Sequence, residues 1–317
     1  MSGQGETSLV AVIATGGTIA SRRGADGAST PSLSGEDLLS LVPQISARLK
    51  PVDLMAKDSS SLTLADMQRI SDAVGLELND PAVAGVVVLH GTDAMEESSL
   101  LVNLQNSLTK PVVFTGAQFT ADHPDADGPA NLAQAIETAL DPQNAAKGVL
   151  LSFGGRCLPA WGLYKLSADA ADAFRSARPL VQASAPNLVA PVNDIRVDIV
   201  AIHPGCDATH IDASLQAGAK GIVLAALGSG NANPDIAEAV KRCAERGVAV
   251  VVSSRVPEGR LVASYGGGGG GHDLVAAGAV HSSTLRPGQA RILLAALLAG
   301  KSTAETIVSA FGEPLSL

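Results

Sequence analysis

Short apolar runs, each closed by a polar turn, alternate along this chain with longer segments of helical periodicity. "LVAVIATGGTIASR" (9–22) sets the type. An unbroken apolar run from Leu9 to Ala14 reads as a strand buried on both faces. It ends in Thr15, Gly16, Gly17 and Thr18 before turning polar at Ser21, Arg22 and Arg23. The same form recurs in "AGVVVLHGTD" (84–93), "KPVVFTGAQ" (110–118), "KGVLLSFGG" (147–155), "VDIVAIHPG" (197–205), "KGIVLAALGSGN" (220–231) and "GVAVVVSSRVPEG" (247–259). Between these strands the pattern predicts helices over 64–78, 128–141, 234–247 and 288–300, with Pro129 suited to a first helical turn. Strands alternating with helices predict an α/β fold whose sheets are open, mainly parallel and flanked by helices.

The alternation lapses in "RPLVQASAPNLVAPVNDIR", where Pro179, Pro186 and Pro191 interrupt any helical period. That stretch reads as a linker or short hairpin. It predicts two domains, a larger N-terminal one over residues 1–190 and a smaller C-terminal one over residues 191–317. No repeat with a period of roughly 20–50 residues is present.

Composition narrows the function classes. Hydrophobic residues make up 46% of the 317 positions but aromatics only 3%, so the core is expected to consist of Ala, Val, Leu and Ile. With 22 Lys and Arg against 31 Asp and Glu, and no basic cluster larger than "SRR" (21–23), no nucleic-acid surface is predicted. No apolar run reaches the roughly 18 residues of a membrane span. "MSGQGETS" is polar and runs directly into the first strand, a pattern that does not predict a secretory signal. Cys157, Cys206 and Cys243 are odd in number and widely spaced, as reduced cysteines of a cytoplasmic protein would be.

Several motifs invite a function and then fail on context. "AGKST" (299–303) ends like a phosphate-binding loop but has Ala295 where the first glycine belongs, and it follows a helical pattern; a helix C-terminus is expected. "GGGGGG" (266–271) lacks the strand, helix and distant acid of a dinucleotide site, and is expected to be a flexible loop or lid. "HPGCDATH" (203–210) groups His203, Cys206, Asp207 and His210, but the spacing matches no zinc pattern and a helix cap is expected. The opening loop lacks the third glycine of a dinucleotide fingerprint. No metal or cofactor is predicted.

What survives is a pair of hydroxyl-bearing turns. A second buried strand ends at His90-Gly91-Thr92-Asp93, so two Thr-containing turns close two strands at their carboxyl ends, where open α/β sheets place their sites. A third polar turn, "KDSSSLT" (57–63), precedes the helix near Leu64 and taken alone reads as a capping box. "ATGGTIA" (14–20) together with "HGTDAMEES" (90–98) resembles the bacterial-type L-asparaginase family. "KDSSSLT", "KPVVFTGAQ", "DGPANL" (127–132), "SSRVPEG" (253–259) and "STLRPGQARILL" (283–294) follow in the family's order, so the resemblance runs from about residue 8 to about residue 300.

The resemblance implies hydrolysis of the side-chain amide of asparagine to aspartate and ammonia, often with weaker glutaminase activity. By motif position Thr18 resembles the nucleophilic threonine, Thr92 and Asp93 the second threonine and its acidic neighbour, and Lys165, in "LPAWGLYKLSADAADAF" (158–174), the lysine of the set. Ser59 matches the serine that holds the substrate's α-carboxylate, with Ser60 its immediate rival. Backbone N–H groups of the Gly17 and Gly91 turns are expected to help form an oxyanion hole. Asn231, in "GSGNANP", matches an asparagine the family contributes across a subunit interface, which implies a tetramer built of two intimate dimers.

These roles suit the chemistry. An amide is a poor electrophile, and an acyl-enzyme divides its hydrolysis into two easier steps. A hydroxyl nucleophile needs a base, which a lysine supplies where burial disfavours its charge, while a neighbouring Asp93 would orient it and favour that charge. Each residue also has a plain structural role open to it: strand-end turn chemistry for the threonines, a helix cap for Asp93, a solvated surface position for Lys165.

The chain departs from the family in two places. Residues 21–35, the mobile loop that commonly carries a tyrosine, have none; Ser29 and Thr30 are the hydroxyls there, with Gly24 and Gly27 beside them, and the only tyrosines are Tyr164 and Tyr265. The segment that should carry the acidic residue periplasmic members extend into a neighbouring site is here the six-glycine loop followed by His272 and Asp273, to which no counterpart is assigned. Two other readings remain open at this point: an amidase or glutaminase preferring another amide, and a non-catalytic small-molecule-binding protein on the same fold.

Overall fold

The computed structural model describes residues 7–23, 29–31, 35–40, 46–177 and 187–312. The chain divides into two compact units, Met1–Asn187 and Leu188–Leu317.

In the first unit, β1 (Leu9–Gly16) is followed by a 3-10 turn (Thr18–Ala20) and an antiparallel pair, β2 (Ser21–Arg23) and β3 (Ser29–Pro31). Then come α1 (Gly35–Ser40), β4 (Arg48–Lys57), a 3-10 turn (Ser59–Ser61), α2 (Leu64–Asn79), β5 (Val83–Leu89), α3 (Met95–Gln105), β6 (Val112–Thr115) and α4 (Gly128–Leu140). The unit closes with β7 (Leu150–Phe153), β8 (Arg156–Pro159) and a separate antiparallel ribbon of β9 (Leu163–Lys165) and β10 (Phe174–Ser176). The main sheet has the order β4-β1-β5-β6-β7-β8. Every pair in it is parallel except β7 with β8.

The apolar runs of β1 and β5 are continuous because both faces are covered. Ile13, Val86 and Val88 pack with Ile70 and Val74 of α2 and with Met95 and Val102 of α3. Their alternating neighbours Val12, Val87 and Leu89 pack with Leu132, Ala135 and Ile136 of α4. The helix predicted over 64–78 begins at Leu64 because Thr63 and Asp66 form a capping box: Asp66 N donates to Thr63 Oγ1 and Thr63 N to Asp66 Oδ2. Lys57 Nζ, 2.9 Å from the same carboxylate, adds an ion pair. The lysine and the capping bonds hold the Asp66 pKa at about 2, and through this box α2 anchors the Ser59–Ser61 turn before it.

The second unit holds β11 (Val197–Ala201), α5 (Thr209–Gln216), β12 (Gly221–Ala226), α6 (Pro234–Glu245), β13 (Ala249–Ser254), α7 (Gly271–Ala276), β14 (Val280–His281), α8 (Pro287–Ala299) and α9 (Ala304–Phe311). Its sheet, β11-β12-β13-β14, is parallel throughout. "HPGCDATH" leads into α5, with Asp207 Oδ1 accepting from Thr209 N, and "AGKST" is the end of α8.

The glycine run departs from expectation. Gly266–Gly268 are exposed, but Gly269–Gly271 are buried and lead into α7. Gly267 and Gly268 have φ of 101° and 97°, in the left-handed region, and a Cβ on Gly269 or Gly270 would strike the backbone of Asn233 or Tyr265. Ala232 N donates to Gly269 O, while Gly268 N and Gly270 N donate to Asp273 Oδ2. Glycine is required at 269 and 270 for close approach, so flexibility is not what that half of the run supplies. The lid expected at residues 21–35 lies partly outside the described residues, as do the side chains of Ser29 and Thr30.

Two predictions follow from this packing. Gly270→Ala is expected to lower Tm by several degrees, whereas Gly266→Ala, whose nearest atom is 3.7 Å away, leaves it nearly unchanged; equal, negligible effects in thermal melts would restore the flexible loop. Asp66 has a depressed pKa, so its stabilisation is present above its ordinary value near 3.8 and is lost as pH falls through about 2. Asp66→Asn is therefore expected to cost about 1–2 kcal/mol at neutral pH, with the gap to the parent protein closing in denaturant melts between pH 4 and pH 2.

Candidate active site

β1 and β5 are neighbours in register, Ala14 opposite Leu89, so their carboxyl ends emerge side by side. The two threonines of the first turn separate in role. Thr15 Oγ1 donates to Leu89 O at 2.8 Å and staples the two strands. Thr18 lies beyond Gly16 and Gly17, whose φ of 103° and 84° reverse the chain into the 3-10 turn. Ala20 N and Ser21 Oγ both donate to Gly17 O and hold that turn closed.

Three turns then meet with almost no intervening side chain. A Cβ on Gly17 would lie 2.5 Å from Gly91 Cα, and one on Gly91 would lie 2.5 Å from Ser59 Oγ. Ser59 is buried and its Oγ accepts from Asp93 N at 3.1 Å. Ser60, next on the same 3-10 turn, is exposed. Beneath the second turn, burial lowers the His90 pKa to about 4, so its ring is neutral and Nδ1 donates to Gly91 O at 2.7 Å.

Lys165 enters from the β9–β10 ribbon. Its Nζ donates to Thr92 Oγ1 and to Asp93 Oδ1, each at 2.8 Å. Thr92 is buried and the Lys165 side chain is 21% exposed, while the Asp93 side chain is 61% exposed at the rim. An ion pair that open adds little to stability, so its value lies in aiming the ammonium group. The cap expected of Asp93 is not formed: Ala94 is the N-cap of α3, with no side-chain cap bond, and the Asp93 carboxylate turns to Lys165. The backbone N–H of Lys165 donates to Glu96 Oε2 at 2.7 Å, and burial raises the Glu96 pKa to about 7 against the pull of that bond and of the lysine charge.

A third strand end borders this group. After β6, the Asp127 carboxylate accepts from Gln118 N and Phe119 N, and Gln118 Nε2 reaches Ala168 O in the segment after Lys165.

The structure thus gathers Gly17, Ser59, Gly91, Thr92, Asp93 and Lys165, with Thr18 one residue past Gly17. Asn231 lies in the second unit, where Asn231 Oδ1 accepts from Gly271 N at 3.1 Å and its backbone pairs with Leu227. Among the described residues, no three His, Cys, Asp or Glu side chains are placed to hold a metal ion, the "HPGCDATH" group included. Sequence reasoning missed His90 and Glu96. His90 stands inside the quoted motif, but nothing local marks its ring as the support of the turn. Glu96 reads as an ordinary acid in the first turn of a helix, because its partner is 69 residues away.

This arrangement sits on a chain with known relatives. A family model described as "Asparaginase, N-terminal" matches residues 9–190, and one described as "Glutaminase/Asparaginase C-terminal domain" matches residues 196–311. A protein named probable L-asparaginase from Deinococcus radiodurans is 34% identical over 91% of this chain and 92% of its own length. L-asparaginase 2 of Escherichia coli is 29% identical, covering 96% and 92%. A crystal structure described as a probable cytoplasmic L-asparaginase from Campylobacter jejuni superposes with a TM-score of 0.84 at 28% identity, covering 97% of this chain and all of that one. Joined to hydroxyl-bearing turns closing β1 and β5 and a lysine held at the second of them, these matches show that the chain belongs to the asparaginase family of amidohydrolases.

Proposed function

We propose that this amidohydrolase converts L-asparagine to L-aspartate and ammonia through an acyl-enzyme formed on Thr18. The observation that carries the reading is Lys165 Nζ, 2.8 Å from both Thr92 Oγ1 and Asp93 Oδ1, at the turn that packs on Gly17. Thr18 Oγ attacks the side-chain amide carbon, its proton passes to the amide nitrogen, and the C–N bond breaks to release ammonia and leave an ester on Thr18. Water then attacks the resulting ester, and one of its protons passes by way of Thr92 Oγ1, held in place by the Lys165 ammonium, to Thr18 Oγ as the ester bond breaks; aspartate is released and the Thr18 hydroxyl is restored. Backbone N–H groups of the Gly17 and Gly91 turns stabilise the oxyanion in both steps.

Substrate recognition divides by charge. Asp93 offers its carboxylate to the α-ammonium group, and Ser59, whose oxygen is occupied by Asp93 N, offers its hydrogen to the α-carboxylate. Ser60 is the outer member of that pair. On this reading residues 1–190 carry the chemistry and residues 191–317 supply Asn231 across an interface in a tetramer of two intimate dimers, as the family resemblance suggests. The cytoplasm is the proposed location, supported by the described setting of the Campylobacter jejuni protein.

Purified protein is expected to release ammonia from L-asparagine. Thr18→Ala and Lys165→Met are each expected to cost on the order of 10³-fold in kcat while remaining folded. Near-parental turnover by folded Thr18→Ala would remove the nucleophile assignment, and faster release from L-glutamine than from asparagine would assign a different preferred amide. Gly91→Ala tests the packing of the turns: its extra carbon crowds Ser59 Oγ and Gly17 Cα, and kcat/KM is expected to fall roughly 10- to 100-fold. Unchanged kcat/KM would show that the turns can part without loss.

A further inference from the structure

We propose that Glu96 is a positioning residue, whose carboxyl group sets the Lys165 ammonium against Thr92 by holding the Lys165 backbone. The inference rests on the proposed role of Lys165 and extends it to a residue that never meets the substrate.

The geometry begins with the β9–β10 ribbon. Leu166 N donates to Ala173 O and Ala177 N to Gly162 O, while Lys165 stands opposite Phe174. In an antiparallel pair the hydrogen-bonded positions alternate, so the N–H of Lys165 points away from β10. Glu96, on the first turn of α3, takes that outward N–H at 2.7 Å. Because α3 follows directly on Thr92 and Asp93, one short stretch of chain grips Lys165 at both ends. Thr92 and Asp93 hold the side-chain nitrogen, and Glu96 holds the backbone nitrogen from which that side chain departs.

A flexible lysine stem could reach Thr92 from many backbone positions, at the cost of ordering several torsions. Fixing the backbone sets the point from which the stem departs, and the bonds of Nζ to Thr92 and Asp93 fix its far end, which matters because small misplacements carry large costs in rate. The bond is made by an acid that burial protonates readily. Its pKa of about 7 is set by that burial, with the Glu97 charge raising it and the Lys165 N–H and charge lowering it. A carboxyl group so close to neutrality serves mainly as an acceptor, and a carboxamide of the same shape can replace it.

The test compares Glu96→Ala, Glu96→Gln and Glu96→Asp by steady-state kinetics and thermal melts. Lys165→Met and Ser176→Ala accompany them, the latter removing the Ser176 Oγ bond to Trp161 O on the same ribbon. Glu96→Ala and Glu96→Asp, which delete or shorten the acceptor, are expected to lower kcat roughly 10- to 100-fold with KM within about threefold. Glu96→Gln is expected to retain kcat within about threefold, and Ser176→Ala to be unaffected in kcat whatever its Tm. Loss in Glu96→Gln equal to that in Glu96→Ala, a kcat change below fivefold in a folded Glu96→Ala or Glu96→Asp, or a loss confined to KM would each overturn the proposal. Should Glu96→Ala not fold, Glu96→Asp and Glu96→Gln decide it. An active Lys165→Met would instead overturn the proposed relay itself, so the two failures are distinguishable.

Discussion

The site depends on backbone meeting backbone. Gly17 lies against Gly91, and Gly91 against Ser59, at distances no interposed Cβ could share. This contact brings the ends of two strands and a 3-10 turn into a single surface. Side chains placed on such a surface have little room to reorganise, because the atoms beneath them are main chain. Thr18 and Thr92 directly follow these glycines and Asp93 comes one residue later, so tight packing of the turns and placement of these side chains are one constraint. The parallel sheet supplies the rest: with both faces of β1 and β5 covered by helices, a ligand meets the ends of these strands and not their faces, and open α/β sheets use the carboxyl ends.

Lysine delivery follows a different plan. The main sheet ends in an antiparallel step from β7 to β8, and the chain then leaves it for a two-stranded ribbon. Phe174 of that ribbon packs edge-on against Phe153 of the sheet, ring centres 5.2 Å apart, in a protein with very few aromatic residues. An apolar anchor holds the ribbon, while polar contacts to Thr92, Asp93 and Glu96 fix its Lys165 end.

Much of this was legible in the sequence because it is written in local periods. The apolar run of Leu9–Ala14 gave its strand, and the pattern over 64–78 gave α2 to within a residue. The glycines of "ATGGTIA" and "HGTD" marked turns whose φ values and close approach the structure displays. What escaped lacks a local signature. The edge strand β4 has a mixed pattern and contains Pro51, and β8 to β10 are too short to carry a period. The glycine run was misjudged in its second half, because composition signals freedom, whereas the backbones of Asn233, remote in sequence, and of Tyr265 make the space scarce at Gly269 and Gly270. Glu96 was hidden for the same reason: its neighbours in sequence say nothing of Lys165.

The staple from Thr15 to Leu89 spans 74 residues, and the bond from Lys165 to Thr92 spans 73. Contacts this remote in the chain require large loops to close before they contribute anything, which makes folding of such topologies slow. Neither turn can acquire its geometry from a hairpin or helix forming on its own. With the reactive centre proposed above, turnover reports the completed order of the first unit, and a partly folded chain with most of its helices in place would lack that centre.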